Sequence, residues 1–353
     1  MERKIQVLVV DDSAFMRKVI SDMLNQDPRV HVIGTARNGE DALRKRKELR
    51  PDVMTLDVEM PIMNGLETLK HVMNDDPCPV VMISSTTKQG AENTMLAMEY
   101  GAVDFVTKPS GAISLDIDRV ENEIVEKVVY AARARLRRSS PKPIVQPRTV
   151  QFVKRPSRTL LSSAQKMIAI GTSTGGPKAL KDVITKLPGS LKAPVLIVQH
   201  MPAGFTRSLA ERLDSLSELT VKEAEDGDVL KNGVAYIAPG GYHLAVKQEH
   251  SSYVIQTHLE EPRRGHRPSV DVMYESLSAL NDIETIAVIM TGMGADGSEG
   301  LMKLKQSGSC YAIAEAEESC VVFGMPKVAI RTKLVDEVVH IQEIAGRIMR
   351  QVQ

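Results

Sequence analysis

Residues 168–180 read IAIGTSTGGPKAL. An apolar run reaches a glycine, presents Ser173 between two threonines, and turns at once on Gly175, Gly176 and Pro177. The run has the length of a buried strand, and a glycine pair followed by proline suits the opening of a helix. A strand passing directly into a helix is half of a βαβ unit. The same alternation continues on both sides. After Lys166 come APVLIVQH, GVAYIAP, TIAVIMTGMG and SCYAIAEA; between Lys4 and about Tyr130 come IQVLVV, HVIGTA, VMTLDV, PVVMISS and DFVTKP. Amphipathic segments such as FMRKVISDMLNQ and GEDALRKRKEL separate them. Short apolar runs alternating with helical patterns mean right-handed crossovers and a parallel sheet. The expected fold class is therefore α/β, as two mainly parallel doubly wound domains over residues 1–130 and 164–353.

A chain of 353 residues exceeds one ordinary core, which agrees with two domains. Between them, residues 131–163 form a basic, proline-broken linker. From Arg133 to Arg158 there is no acid, while Pro141, Pro143, Pro147 and Pro156 exclude a continuous helix. Lys and Arg total 45 against 45 Asp and Glu, so the whole-chain charge carries no nucleic-acid signature. The linker's charge is read as a solvated hinge touching an acidic face. Three cysteines without paired spacing suit a reducing compartment. The opening MERKIQVLVVDDSAF lacks a signal-peptide pattern, and no stretch approaches a membrane span, so a cytoplasmic setting is expected.

In the first domain VLVVDDS ends a buried strand with Asp11 and Asp12, and VMTLDVEMP ends another with Asp57 and Glu59. Strand ends of a parallel sheet converge on one crevice. Carboxylates gathered there repel one another unless a hard cation binds, and oxygen ligands suit Mg²⁺. VVMISS adds the Ser84 hydroxyl and DFVTKP adds Lys108. A carboxylate nucleophile, a cation, a hydroxyl and a lysine are what phosphoryl transfer requires. Helix capping by a single Asp is the competing reading, and four ordered elements outweigh it. Residues 4–125 closely resemble the response-regulator receiver domain, which implies a flavodoxin-like fold. The resemblance implies that Asp57 accepts a phosphoryl group from a histidine kinase, with Asp11, Asp12, Asp57 and the Glu59 backbone carbonyl around Mg²⁺. It implies Ser84, Phe105 and Lys108 as the switch residues.

GTSTG fits the loose G-x-S-x-G pattern that sets a serine on a sharp turn above a sheet. A P-loop is excluded because GGPKAL lacks the Lys-Ser/Thr pair, and the dinucleotide fingerprint fails on its glycine positions. An ordinary strand-to-helix turn stays open as the competing reading. A serine needs a base to become a nucleophile, and the base needs an orienting acid. APVLIVQH ends in His200, and TIAVIMTGMGADG leads to Asp296, so both stand at strand ends with Ser173. His243 and His266, in glycine- or proline-rich loops, remain possible bases, whereas His250, His258 and His340 read as surface residues. The order Ser–His–Asp disfavours the α/β-hydrolase superfamily. Glycines 292, 294 and 297 let backbone amides approach a ligand, and the Met293 amide is a candidate oxyanion donor.

The stretches IAIGTSTGGP, VLIVQHMPAGFT, AYIAPGGYHL, GHRPSVDVMYESL, TGMGADGSEG and ESCVVFGMP occur in order. Over about 166–345 they resemble the catalytic domain of the chemotaxis protein-glutamate methylesterases, whose receiver-plus-linker arrangement also matches. Thr172 stands where that family often has alanine. The resemblance implies a Rossmann-like serine hydrolase with Ser173 as nucleophile, His200 as base, Asp296 as orienting acid and Met293 at the oxyanion. It implies hydrolysis of receptor methyl-glutamates, deamidation of receptor glutamines, and inhibition by the receiver until Asp57 is phosphorylated. The implied partners are methyl-accepting chemotaxis receptors and the chemotaxis histidine kinase, with membrane contact only through receptors. No nucleic acid is expected, no cofactor in the catalytic domain, and a monomer. A DNA-binding response regulator is disfavoured because nothing resembles a recognition helix. A docking module with a decayed hydrolase fold is disfavoured by the intact Ser173, His200 and Asp296.

Overall fold

The computed structural model describes residues 3–108, 117–134 and 165–353. The expected linker therefore lies outside the described residues beyond Ala134. The first sheet is built from β1 (Ile5–Val10), β2 (Val30–Ala36), β3 (Val53–Asp57), β4 (Val80–Ser84) and β5 (Asp104–Thr107). Its order is β2-β1-β3-β4-β5 and every pairing is parallel. Helices α1 (Ala14–Gln26), α2 (Gly39–Leu49), α3 (Gly65–Asp75), α4 (Lys88–Tyr100) and α5 (Ile117–Ala131) supply the crossovers. Their starts are locally encoded. Ser13, Asn38 and Thr87 accept backbone N–H bonds as N-caps, and Asn64 with Glu67 forms a capping box. β3 and β4 are buried along their whole length, which is why VMTLD and VVMIS lack polar alternation.

The second sheet contains β6 (Gln165–Thr172), β7 (Val195–Gln199), β8 (Thr220–Glu223), β9 (Val234–Ile237), β12 (Ile283–Ile289), β13 (Cys310–Glu315) and β14 (Glu337–Val339). Its order is β14-β13-β12-β6-β7-β9-β8, again parallel throughout. Helices α6 (Gly176–Ile184), α7 (Phe205–Asp214), α8 (Val270–Ser278), α9 (Ser298–Ser307), α10 (Met325–Arg331) and α11 (Ile341–Val352) cover it. Both sheets are the doubly wound parallel type that the alternation predicts. One element departs from that pattern. β10 (His243–Glu249) and β11 (Ser252–His258) form an antiparallel hairpin beside the sheet, its turn passing through His250 at φ 54. The alternation in HLAVKQE and SYVIQTH is its sequence signature.

β6 lies at the centre, with β12 on one side and β7 on the other. Thr172 pairs with Gln199 and Gly171 with Ile289, so the residues just past these strands leave the sheet side by side. The largest buried apolar cluster is continuous through both sheets' layers, including Met95, Met98 and Phe105 of the first and Phe205, Leu209 and Leu213 of the second. α4 packs on α6 and α7. Among the described residues, no helix is long and apolar enough to cross a membrane.

Candidate active site

Ser173 follows β6 directly, and His200 follows β7. The turn after Ser173 is forced by close packing. A Cβ on Gly176 would fall 1.8 Å from Gln199 Oε1 and 2.7 Å from Thr172 Oγ1, so a larger residue there would displace the Gln199 amide. Gln199 Nε2 donates to Ser173 O at 3.0 Å and to His200 O at 3.2 Å, tying the two strand ends together. Ser173 N donates to Thr291 O at 3.0 Å, which brings the loop after β12 alongside. Gly292 sits so close that a Cβ there would meet Ser173 Cβ at 2.8 Å. Ser173 is 7% exposed.

His200 Nε2 and Asp296 Oδ2 are 2.8 Å apart. The His200 side chain is 7% exposed and its Nδ1 is buried with no hydrogen-bond partner among the described residues. Nδ1 is thus the ring nitrogen left without a hydrogen bond while Nε2 is held by Asp296. Asp296 also accepts from Ser269 Oγ at 2.8 Å, Val270 N at 2.7 Å, Asp271 N at 3.0 Å and Gly297 N at 3.1 Å. Two of these amides open α8, where the helix dipole favours a negative charge. Burial opposes ionisation of Asp296, but the hydrogen bond and charge of His200 and these amides outweigh it, holding its carboxyl well below the usual carboxylate range.

The other histidines separate clearly. His266 stacks flat on His200, and burial followed by the His200 charge holds it down at about 4. His243 is fully buried at the start of β10, with Nε2 3.2 Å from Glu261 O and its pKa lowered chiefly by burial. His258 differs from its surface reading. It pairs with His243 across the hairpin and tilts against it, ring centroids 5.3 Å apart. His340 caps α11, its Nδ1 accepting from Gln342 N.

Several supporting residues had no role legible from the sequence. Glu315, buried at the end of β13, accepts from Thr291 N at 2.8 Å and Ser319 Oγ at 2.9 Å. Burial pushes its carboxyl up despite these donors. Thr291 Oγ1 in turn donates to Thr174 O at 2.9 Å, closing a network between the serine turn and the glycine loop. Such groups are legible only once the strands are adjacent.

In the first sheet Asp11, Asp12 and Asp57 each offer a carboxylate oxygen, all within 4.8 Å of one another. Lys108 Nζ lies 2.7 Å from Asp57 Oδ2 and 3.1 Å from Asp11 Oδ2. Asp11 Oδ2 is buried, and Lys108 Nζ is the cation that faces it. Burial pushes Asp57 up to about 6, against the downward pull of Lys108. Three hard carboxylate oxygens crowded in this way, with one lysine among them, fit a divalent cation such as Mg²⁺. Ser84 points elsewhere: its Oγ donates toward Gly90 O at 3.1 Å and accepts from Thr94 Oγ1 at 2.8 Å.

The α4–β5–α5 side of this first sheet rests on the serine turn. Phe105, 2% exposed, stacks on Phe205 with centroids 4.6 Å apart. Glu99 bridges Lys181 at 2.8 Å and Arg212 at 2.6 Å. Asp104 accepts from Thr174 Oγ1, and Lys127 lies 3.3 Å from Asp104 and 2.8 Å from Glu123.

Residues 7–117 match the response regulator receiver domain model and residues 168–348 match the CheB methylesterase model. The catalytic domain of CheB methylesterase from Thermotoga maritima has a TM-score of 0.52 and 45% identity, covering 53% of this chain and 99% of that one. The protein-glutamate methylesterase/protein-glutamine glutaminase of Bacillus subtilis is 50% identical over 348 residues, covering 98% of this chain and 97% of the relative. The protein of the same description from Halalkalibacterium halodurans is 63% identical over 351 residues, 99% of both chains. With identity at that level along its full length, the chain belongs to the protein-glutamate methylesterase/protein-glutamine glutaminase family, with a receiver domain ahead of the methylesterase domain.

Proposed function

We propose that this protein is a phosphorylation-regulated serine hydrolase that removes methyl esters from glutamates of chemotaxis receptors and deamidates receptor glutamines, giving adaptation. The observation that carries the reading is the His200 Nε2–Asp296 Oδ2 bond beside Ser173, at three adjoining strand ends. Ser173 Oγ attacks the γ-carbonyl while His200 Nδ1 takes its proton. The resulting oxyanion is met by the Met293 backbone amide, a donor of a kind worth roughly 3 kcal/mol. His200 returns the proton to the leaving methoxide, and methanol departs; with glutamine, ammonia departs instead. Water then repeats the cycle on the acyl-enzyme and frees the glutamate. Asp296 keeps the imidazole oriented and balances the charge that forms on it.

The domains assigned to these roles are residues 1–130 and 164–353, joined by the linker 131–163. Asp57 accepts the phosphoryl group from the chemotaxis histidine kinase. Asp11, Asp12, Asp57 and the Glu59 carbonyl would hold Mg²⁺, which would neutralise charge on the phosphoryl oxygens. Lys108 keeps a positive charge against Asp57, and Ser84 and Phe105 respond to the new phosphoryl group. Contact of Phe105, Glu99 and Asp104 with Phe205, Lys181, Arg212 and Thr174 supports inhibition by coverage. The chain acts in the cytoplasm, as a monomer, on receptor segments at the membrane's inner face. Methanol release from methylated receptor membranes, measured with and without acetyl phosphate, tests the reading. No release by the wild-type chain in either condition overturns it.

A further inference from the structure

The ring of His266 lies face to face with that of His200, centroids 3.9 Å apart and planes within 9°. Its loop is built to hold it there. His266 N donates to Arg263 O at 2.9 Å and Arg263 N to His266 O at 3.0 Å, closing a tight turn through Gly265 at φ 82. The Arg263 guanidinium is anchored 2.8 Å from Glu275 on α8 and 3.3 Å from Glu299 on α9. Both helices start beside Asp296, so the loop and the orienting acid share one scaffold.

We propose that His266 is a positioning residue for the hydrolysis, fixing the plane of the His200 ring. The inference rests on His200 being the base. The one hydrogen bond that His200 Nε2 donates to Asp296 fixes a point on the imidazole but does not by itself fix the tilt of the ring about that bond. Rotation would carry Nδ1 away from Ser173. A flat ring against one face removes that freedom, because stacked rings resist tilting into each other. The charges that act on His266 are those of His200 and Asp296 on the catalytic side, and of Lys127 and Glu123 of α5 on the receiver side. Held down at about 4 by burial and by His200, His266 is neutral at neutral pH. When His200 accepts the serine proton, the new cation therefore meets a π face and not a second cation.

The test uses the full chain, activated by acetyl phosphate, on methylated receptor membranes. His266→Phe keeps a flat ring that cannot titrate; His266→Leu fills the space without one; His266→Ala empties it. Misplacing a catalytic group by about 1 Å costs on the order of 100-fold. We expect His266→Leu and His266→Ala to lose roughly 10- to 100-fold in kcat with KM within about twofold, and His266→Phe to recover to within about threefold of wild type. Thermal melting of each variant checks folding, and the Leu variant carries the comparison if Ala does not fold. Equal loss in Phe, Leu and Ala would mean that an imidazole is needed for chemistry, overturning a positioning role. Wild-type kcat in all three overturns it as well. An active His200→Gln overturns the underlying choice of base; an inactive His200→Gln beside a fully active His266→Leu overturns only the inference about His266.

Discussion

Asp104, at the start of β5, accepts a hydrogen bond from the hydroxyl of Thr174, the residue that follows Ser173. The next residue, Phe105, stacks on Phe205 at the start of α7. Lys127 holds the start of this strand, 3.3 Å from Asp104 and donating to Phe105 O at 2.6 Å. β5 thus meets the serine turn through one side chain, so the contact is open to test by single substitutions.

Weakening that contact should raise activity before phosphorylation. Phe205→Ala removes the stack and most of a buried aromatic contact, and Glu99→Gln weakens the bridge to Lys181 and Arg212. Losing ~1.4 kcal/mol of closed-state preference shifts the closed-to-open ratio tenfold. We expect basal methanol release to rise several-fold in both, with the phosphodonor-stimulated rate little changed. Basal rates at or below wild type in both variants would argue against coverage.

The isolated fragment 163–353 should outpace the unphosphorylated full chain on a small soluble ester, and Asp57→Asn should leave the full chain slow and unresponsive to acetyl phosphate. Tethering keeps even a weak interface closed through high effective concentration. Equal rates for fragment and full chain would point to a receiver that targets the enzyme to receptors and does not occlude it.

Ser173→Ala should abolish ester hydrolysis by several orders of magnitude, since members of such a unit are grossly non-additive. The melting temperature should stay near wild type, because Ser173 contributes backbone bonds to Thr291 and Gln199 that alanine retains. Methanol release within tenfold of wild type would move the nucleophile elsewhere.

Asp296→Asn should lower kcat by roughly 10⁴-fold, as loss of the orienting acid does in related constellations. Its carboxyl is depressed in the folded chain, so its contribution to stability is present above the unfolded value of about 4 and disappears as pH falls through the lower folded one. The acid limb of the activity profile above about pH 4 should therefore not report Asp296. Intrinsic-fluorescence-independent calorimetry suits the stability arm, since the chain has no tryptophan.

Asp57 has the opposite sign. Its folded pKa is raised to about 6, so the folded chain binds the extra proton and stability falls as pH rises from about 4 to about 6. Asp57→Asn should stabilise the chain at pH 7.5, by on the order of 1–3 kcal/mol, and do little near pH 4. Millimolar Mg²⁺ should raise the wild-type melting temperature at pH 7.5 and leave Asp57→Asn nearly unmoved. A magnesium effect equal in both variants would place the cation elsewhere.

The residues' own order was enough for the alternating α/β elements and the converging strand ends, because a buried parallel strand must be apolar along its whole length and a helix start needs its cap. VLVVDDS, VMTLDVEMP and GTSTGGP each carry that information locally. Which histidine faces Asp296, and that another histidine lies flat upon it, depended on strand order and register, since His200 and His266 are far apart in sequence and meet only through β7 and the loop before α8. The Glu315–Thr291–Thr174 network and the Asp104–Thr174 bond are likewise products of packing. A side-chain hydrogen bond between distant segments leaves no periodic trace in either one; it exists only after burial has brought them together and made an unpaired polar group costly.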